Sequence, residues 1–197
     1  MLRSIALIFI ALGLPAAYAA SAPAADTVTG FHSVLFDNMK HGASYSCKDR
    51  MQHLAPAVDN TFDMPFLAQH VLRRQWSALS EAQQTEFIAT LKDMVITTYA
   101  GQFTKFNGEK FVTQDTQENG KMRAVRAQLQ LPAGDPVQFE YVLRETPAGW
   151  RTINVIAEGV SDLALRSAQY DKIFKDQGFD GLIKQIREQT AKLKSSC

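Results

Sequence analysis

The chain has 197 residues, 46% of them hydrophobic, with 21 Lys and Arg against 20 Asp and Glu. A charge balance this close to zero excludes the electrostatic footprint of a non-specific nucleic-acid binder, and no dense basic cluster supplies one locally. The length suits one domain that buries about 70% of its unfolded surface, so neither metal nor disulfide is required to hold a core.

In chain order, Arg3 is followed by an apolar run over 5–14, then Pro15 and Ala17-Tyr18-Ala19. A positive start, a short apolar middle and small residues at a cut are the order of a secretory signal peptide. The run is too short for a spanning helix, which needs roughly 20 residues. Cleavage is expected after Ala19, and Ala20 stands where a lipoprotein would carry Cys. The expected organisation is a signal peptide over 1–19, a flexible leader over 20–25 and a single domain over 26–197. Loss of Arg3 leaves equal numbers of the two charge signs. Export points to the periplasm, where thiols tend to oxidise. The two cysteines, Cys47 and Cys197, allow one disulfide; with Cys197 the last residue, the pairing stays open at this point. There is no CxxC.

Asp26 is a candidate N-cap for a first helix carrying Val28, Phe31, Leu35 and Met39, with Gly42 at its end. A second helix over about 47–60 carries Met51, Leu54 and Val58, with Pro56 inside it. Asp63 caps a third, with Pro65 in the first turn where a missing N–H matters little, and Met64, Leu67, Ala68, Val71 and Leu72 lead toward Trp76. Ser80 with Gln83 reads as a capping box. The helix it opens is the longest expected, with Phe87, Ile88, Leu91, Met94, Val95, Tyr99 and Phe103 at three- and four-residue steps.

After Asn107-Gly108 the period changes. Strands are predicted over 110–116, 123–131, 137–145 and 150–157. Val137, Phe139, Tyr141 and Leu143 alternate with polar residues, so one face is buried. The intervening turns, among them Asn119-Gly120 and the segment from Thr146 to Gly149, are short, which implies an antiparallel meander. Ser161 then caps a helix that ends at Gly178, and Asp180 caps a last one bearing Leu182, Ile183, Ile186 and Leu193. The fold class is α+β: a curved antiparallel sheet of about four to five strands packed against helices.

Motifs for chemistry are missing. His32, His41, His53 and His70 have neither HxxxH nor HExxH spacing, so no metal site is expected. GxSxG, GxGxxG and the phosphate-binding GxxxxGK[ST] are absent. Ser161 next to Gly159 is explained by helix capping. What the chain does supply is large apolar side chains on both helices and sheet, which serve a solid core and a ligand cavity equally well.

Read together, Phe62-Asp63, Leu67-Ala68, Val71-Leu72, Trp76, Leu79-Ser80, Gln83, Phe87 and Thr98-Tyr99-Ala100 resemble the front motif of the MlaC (toluene-tolerance) family. Gly149-Trp150, Glu158-Gly159-Val160-Ser161, Arg166 and Gly181-Leu182-Ile183 resemble its back motif. The series runs from about residue 30 to 193. The chain departs from the family's usual residues at Asn154, where Asp is common, at Arg73, where Gly is common, and at Leu165-Arg166.

The resemblance implies a non-enzymatic periplasmic carrier that shields lipid acyl chains in an apolar cavity between sheet and helices. It implies phospholipid as ligand, an inner-membrane MCE-domain ABC transporter and an outer-membrane lipoprotein complex as partners, and a role in outer membrane lipid asymmetry. A related branch, HpnM, implies a hopanoid instead. No cofactor beyond bound lipid is expected. The lining expected on this reading is Leu67, Val71, Phe87, Leu91, Val95, Tyr99, Tyr141, Trp150, Ile153 and Val155, with Arg144 and Arg166 at the mouth. The physical logic is that a chain of ~14 carbons costs about 11 kcal/mol to expose, at roughly 0.8 kcal/mol per methylene, and a slot that removes the penalty needs no catalytic group. Two other readings stand beside it. One is a small enzyme on a similar cone-shaped scaffold, with His70 or Asp63 deep in the cavity. The other is an adaptor with a filled core.

Overall fold

The structure, a computed structural model, describes residues 23–42 and 44–197. The expected signal peptide, its expected cleavage point and residues 20–22 of the expected leader lie outside the described residues. Helices come first: α1 (Ala24–Lys40), α2 (Cys47–Thr61), α3 (Met64–Leu72), a 3₁₀ turn over Arg73–Ala78, and α4 (Glu81–Gln102). The sheet follows as β1 (Lys110–Asn119), β2 (Met122–Gln130), β3 (Val137–Thr146), β4 (Gly149–Ala157) and β5 (Val160–Ser161), and α5 (Asp162–Ser196) closes the chain.

Local chemistry sets the helix starts. The Ser80 hydroxyl accepts from the Gln83 N–H while the Gln83 side chain accepts from the Ser80 N–H, the expected capping box. Ser46 and Asp49 make a second such box that opens α2. Asp63 accepts from the Phe66 N–H at 3.1 Å, and Ser161 from that of Ala164 at 3.1 Å. The first helix starts ahead of Asp26: Pro23 holds the cap position, and Asp26 sits in the first turn, where its charge suits the helix dipole.

The third helix stops at Leu72 rather than near Trp76. Arg73 takes φ +48° and ψ −112° there, which ends α-helical geometry and begins the 3₁₀ turn. In α5 the expected pair of helices appears as two arms around Gly178, whose φ of +69° interrupts the run.

The sheet is antiparallel in the order β1-β2-β3-β4-β5. Register shifts between Thr113 and Thr116 and between Val142 and Leu143 bend it. Val125, Tyr141 and Val155 stand opposite one another across β2, β3 and β4, so they share one face. The two-residue β5 was too short to read from periodicity; it pairs with Ile156 and Ala157.

Two apolar clusters hold the molecule. Phe31, Leu35, Leu54, Val58, Leu72, Phe87, Leu91, Leu182 and Ile186 form the larger one between helices. Ala24 and Val28 of α1 meet Val125, Ala127, Tyr141 and Leu143 of the sheet in the smaller. A disulfide joins Cys47 to Cys197, with Cα atoms 5.4 Å apart. Beside it the buried Arg50 guanidinium donates to the carbonyls of Tyr45, Ala100 and Cys197 at 2.6, 3.0 and 3.1 Å. It thereby gathers the ends of three segments. Gly42 is required there, because a Cβ would overlap the Thr104 carbonyl oxygen. Among the described residues no helix is long and apolar enough to cross a membrane.

Candidate functional site

The helices and the sheet do not close completely. A cavity of about 220 Å³ lies between the C-terminal half of α4, α3, and strands β3 and β4. The last two turns of α4 supply Val95, Thr98, Tyr99 and Gln102, and Phe103 follows at its cap; α3 adds Leu67, and the turn before it Phe62. The sheet supplies Phe139, Tyr141, Asn154, Val155 and Ala157, and Val160, Asp162, Leu163 and Arg166 frame the end next to β5 and α5.

Polar groups border the cavity at several points, Thr98, Gln102 and Asn154 among them. Tyr141 is fully buried, and its hydroxyl pairs with His32 Nε2 at 2.9 Å. Burial pushes the Tyr99 and Tyr141 phenols well above their ordinary range, so both stay neutral. Val160 at 57% exposure and Asp162 lie at the open end. There Arg166 Nε donates to Asp162 at 2.7 Å. Burial works against the Arg166 charge, but the Asp162 carboxylate outweighs it, and the guanidinium is held protonated above its usual range. Asn154 Oδ1 accepts from Ser161 Oγ at 3.0 Å and from the Leu163 N–H at 3.3 Å, tying β5 and the start of α5 to β4. The result is a mostly apolar slot with the Asp162–Arg166 ion pair at the end beside β5 and α5.

Of the lining residues expected from sequence, Leu67, Val95, Tyr99, Tyr141 and Val155 come together around this cavity. Val71, Phe87 and Leu91 are placed elsewhere, in the helical core, where Phe87 meets Tyr170 edge-on at 6.3 Å. Trp150 packs against the smaller cluster under the Arg123 guanidinium, and Ile153 is buried off the slot. Arg166 lines the mouth; Arg144 does not, because both its Nε and its Nη2 donate to the Asp63 carboxylate and it lies over the Phe66 ring. Asp63 is thereby committed to a cap and an ion pair, and His70 stacks on Phe66 at the surface, so neither enzymatic candidate lines the cavity. Among the described residues no group of three or more His, Cys, Asp or Glu is placed to hold a metal ion. Phe62, Phe103 and Phe139 are the aromatic residues of the lining that the expected set left out. Periodicity puts Phe103 on the stripe of Val95 and Tyr99 and Phe139 on the face of Tyr141, but nothing local says that an aromatic faces a void.

An α+β scaffold whose sheet and helices part around an apolar slot is, by its geometry, a binding fold. A model of the MlaC protein family matches residues 31–188, and the chain belongs to that family. Its fold is similar to the solved structure of a phospholipid-binding protein from Ralstonia solanacearum in complex with a phospholipid. The TM-score is 0.78 at 20% identity, over 87% of this chain and 99% of the other.

Proposed function

We propose that this protein is a soluble periplasmic phospholipid carrier, exported through a signal peptide cleaved after Ala19. It takes acyl chains into the slot between α4 and the sheet and moves lipid between the outer and inner membranes. The observation that carries the reading is the make-up of the cavity: mostly neutral, apolar side chains, with the Asp162–Arg166 pair among the residues beside β5 and α5. Such a site shields alkyl and leaves a headgroup in water. The phospholipid held by the R. solanacearum protein of the same fold supports the choice of ligand. Membership of the MlaC family supports transport rather than catalysis. On this reading the lipid is exchanged with an outer-membrane lipoprotein complex and with an inner-membrane MCE-domain ABC transporter.

The test is lipid extraction from protein purified out of a bacterial periplasm, with transfer of a labelled phospholipid from donor to acceptor vesicles. Phospholipid in the extract and transfer faster than spontaneous exchange are expected. A hopanoid in place of phospholipid would reassign the ligand, and an empty extract without transfer would remove the carrier reading.

A further inference from the structure

From Met64 to Ser80 the chain holds no Asp or Glu, although acids and bases are nearly balanced overall. That segment forms α3 and the 3₁₀ turn after it. One face of α3 is spent inside the molecule: Ala68, Val71 and Leu72 are buried, and Leu67 lines the slot. The outer face carries exposed Pro65, Gln69 and His70 around half-buried Phe66, and exposed Arg73 and Arg74 follow directly. No acid within the segment balances these two cations.

This face is ordered at one end and unpartnered at the other. His70 Nδ1 donates to the Phe66 carbonyl at 2.8 Å, and its ring stacks on that of Phe66 with centroids 3.6 Å apart. The Arg144 guanidinium covers the Phe66 ring at 4.7 Å while its Nε donates to Asp63 at 2.6 Å, and 43% of the side chain stays exposed. Roughly 10 Å along α3 from Phe66, at about 1.5 Å of rise per residue, Arg73 holds φ +48° and ψ −112°. An L side chain is disfavoured there, so the chain bears strain to keep a guanidinium at this corner. That guanidinium gives little back inside the molecule. Asp171 feels its charge, but Asp171 is already bonded to Gln75 at 2.7 Å and to Lys175 at 2.6 Å. Among the described residues neither Arg73 nor Arg74 makes a side-chain hydrogen bond or ion pair.

We propose that the outer face of α3, with Arg73, Arg74 and Arg144, docks an acidic segment of a partner protein. Guanidinium forks pair with carboxylates in a fixed geometry, and the stacked rings of Phe66 and His70 give the surface beside them a fixed shape. A membrane surface asks only for diffuse positive charge near the headgroups and gains nothing from a strained backbone that holds one arginine in place. The same helix carries Leu67 on the slot, so the partner sits one helix away from the cavity. The inference stands on the charge and shape of this face and does not depend on the carrier reading.

The test titrates the full chain with fluorescein-labelled decaglutamate, read by fluorescence anisotropy. Salt is set at about 0.1 M and again at about 1 M, between which the screening length drops from about 10 Å to about 3 Å. Saturable binding at low salt and its loss at high salt are expected. Arg73→Glu with Arg74→Glu should weaken binding by about tenfold or more. Arg74→Glu alone, at an exposed position beyond α3, leaves the strained residue untouched and should still weaken it by about threefold. Lys121→Glu with Lys192→Glu, at exposed positions elsewhere, makes the same change in net charge and should leave binding within about twofold. No binding of decaglutamate by the folded, unsubstituted chain, or equal loss in the two double variants, would overturn the assignment. So would capture of dioleoylphosphatidylglycerol vesicles that depends on Arg73 and Arg74 while decaglutamate stays unbound, since the face would then serve a membrane.

Discussion

The two halves of α4 carry the same kinds of side chain and meet opposite fates. In the first half, Phe87 and Leu91 disappear into a close-packed contact with Tyr170, Leu182 and Ile186 of α5. In the second, Val95, Tyr99 and Phe103 face the inner surface of a bent sheet and leave a void. A helix fits the ridges of another helix along its length. A curved sheet recedes from a straight helix and leaves a gap. The difference lies in the shape opposite, so a solid core and a ligand slot are built from one apolar stripe.

Substitutions can break or sharpen this contrast. The largest effect is expected on the packed side. The Cys47–Cys197 disulfide closes a 150-residue separation, for which chain entropy alone predicts up to about 5 kcal/mol. Cys47→Ser with Cys197→Ser should lower stability by that order in urea titrations while the folded fraction still captures lipid. Leu91→Ala should cost about 2–5 kcal/mol through the cavity it leaves, again without loss of capture per folded molecule.

His32 of α1 is hydrogen-bonded to Tyr141, which lines the slot. Its pKa is lowered to about 4 by burial, against 6.5 for the free side chain. The folded state therefore holds the neutral form while the unfolded chain takes up a proton below pH 6.5. Stability from this site is complete above pH 6.5 and drains away as pH falls toward 4, by roughly 3 kcal/mol at 1.36 kcal/mol per unit. The difference in unfolding free energy between the unsubstituted chain and His32→Phe should shift by that amount between pH 7 and pH 4, in favour of the variant at low pH.

On the slot side the signs reverse. Val95→Trp should leave stability within about 1 kcal/mol, because the indole enters existing space, yet reduce lipid capture about tenfold or more in vesicle titrations. The same Trp at Leu91 should unfold the protein first. The smallest effect is expected at Arg73, whose φ of +48° and ψ of −112° fall in a region that favours glycine. Arg73→Gly should stabilise by about 1 kcal/mol, as read from the melting temperature.

Much of this architecture was legible in the sequence. Ser80 with Gln83, Asp63 with Pro65, and Ser161 each announced a helix by local hydrogen bonding, and the alternation from Val137 to Leu143 announced a half-buried strand. Those signals span a few residues and are satisfied within them. The lining was legible only in part, because it depends on partners far along the chain. Periodicity put Leu91 and Val95 on one stripe but could not say that α5 would meet the first and the sheet the second. Arg144 looked like a mouth cation, yet an acid distant in sequence, Asp63, claims it. Arg73 adopts a positive φ of +48°, a backbone conformation that favours glycine and that no local sequence signal announced.

The central claim, that the space behind Val95 and Tyr99 is filled by lipid, is tested most directly by native mass spectrometry of protein released gently from a bacterial periplasm. The account predicts a mass excess equal to a phospholipid, lost when Val95 is replaced by Trp. A bare polypeptide mass for the unsubstituted protein, persisting after incubation with phospholipid vesicles, would contradict it.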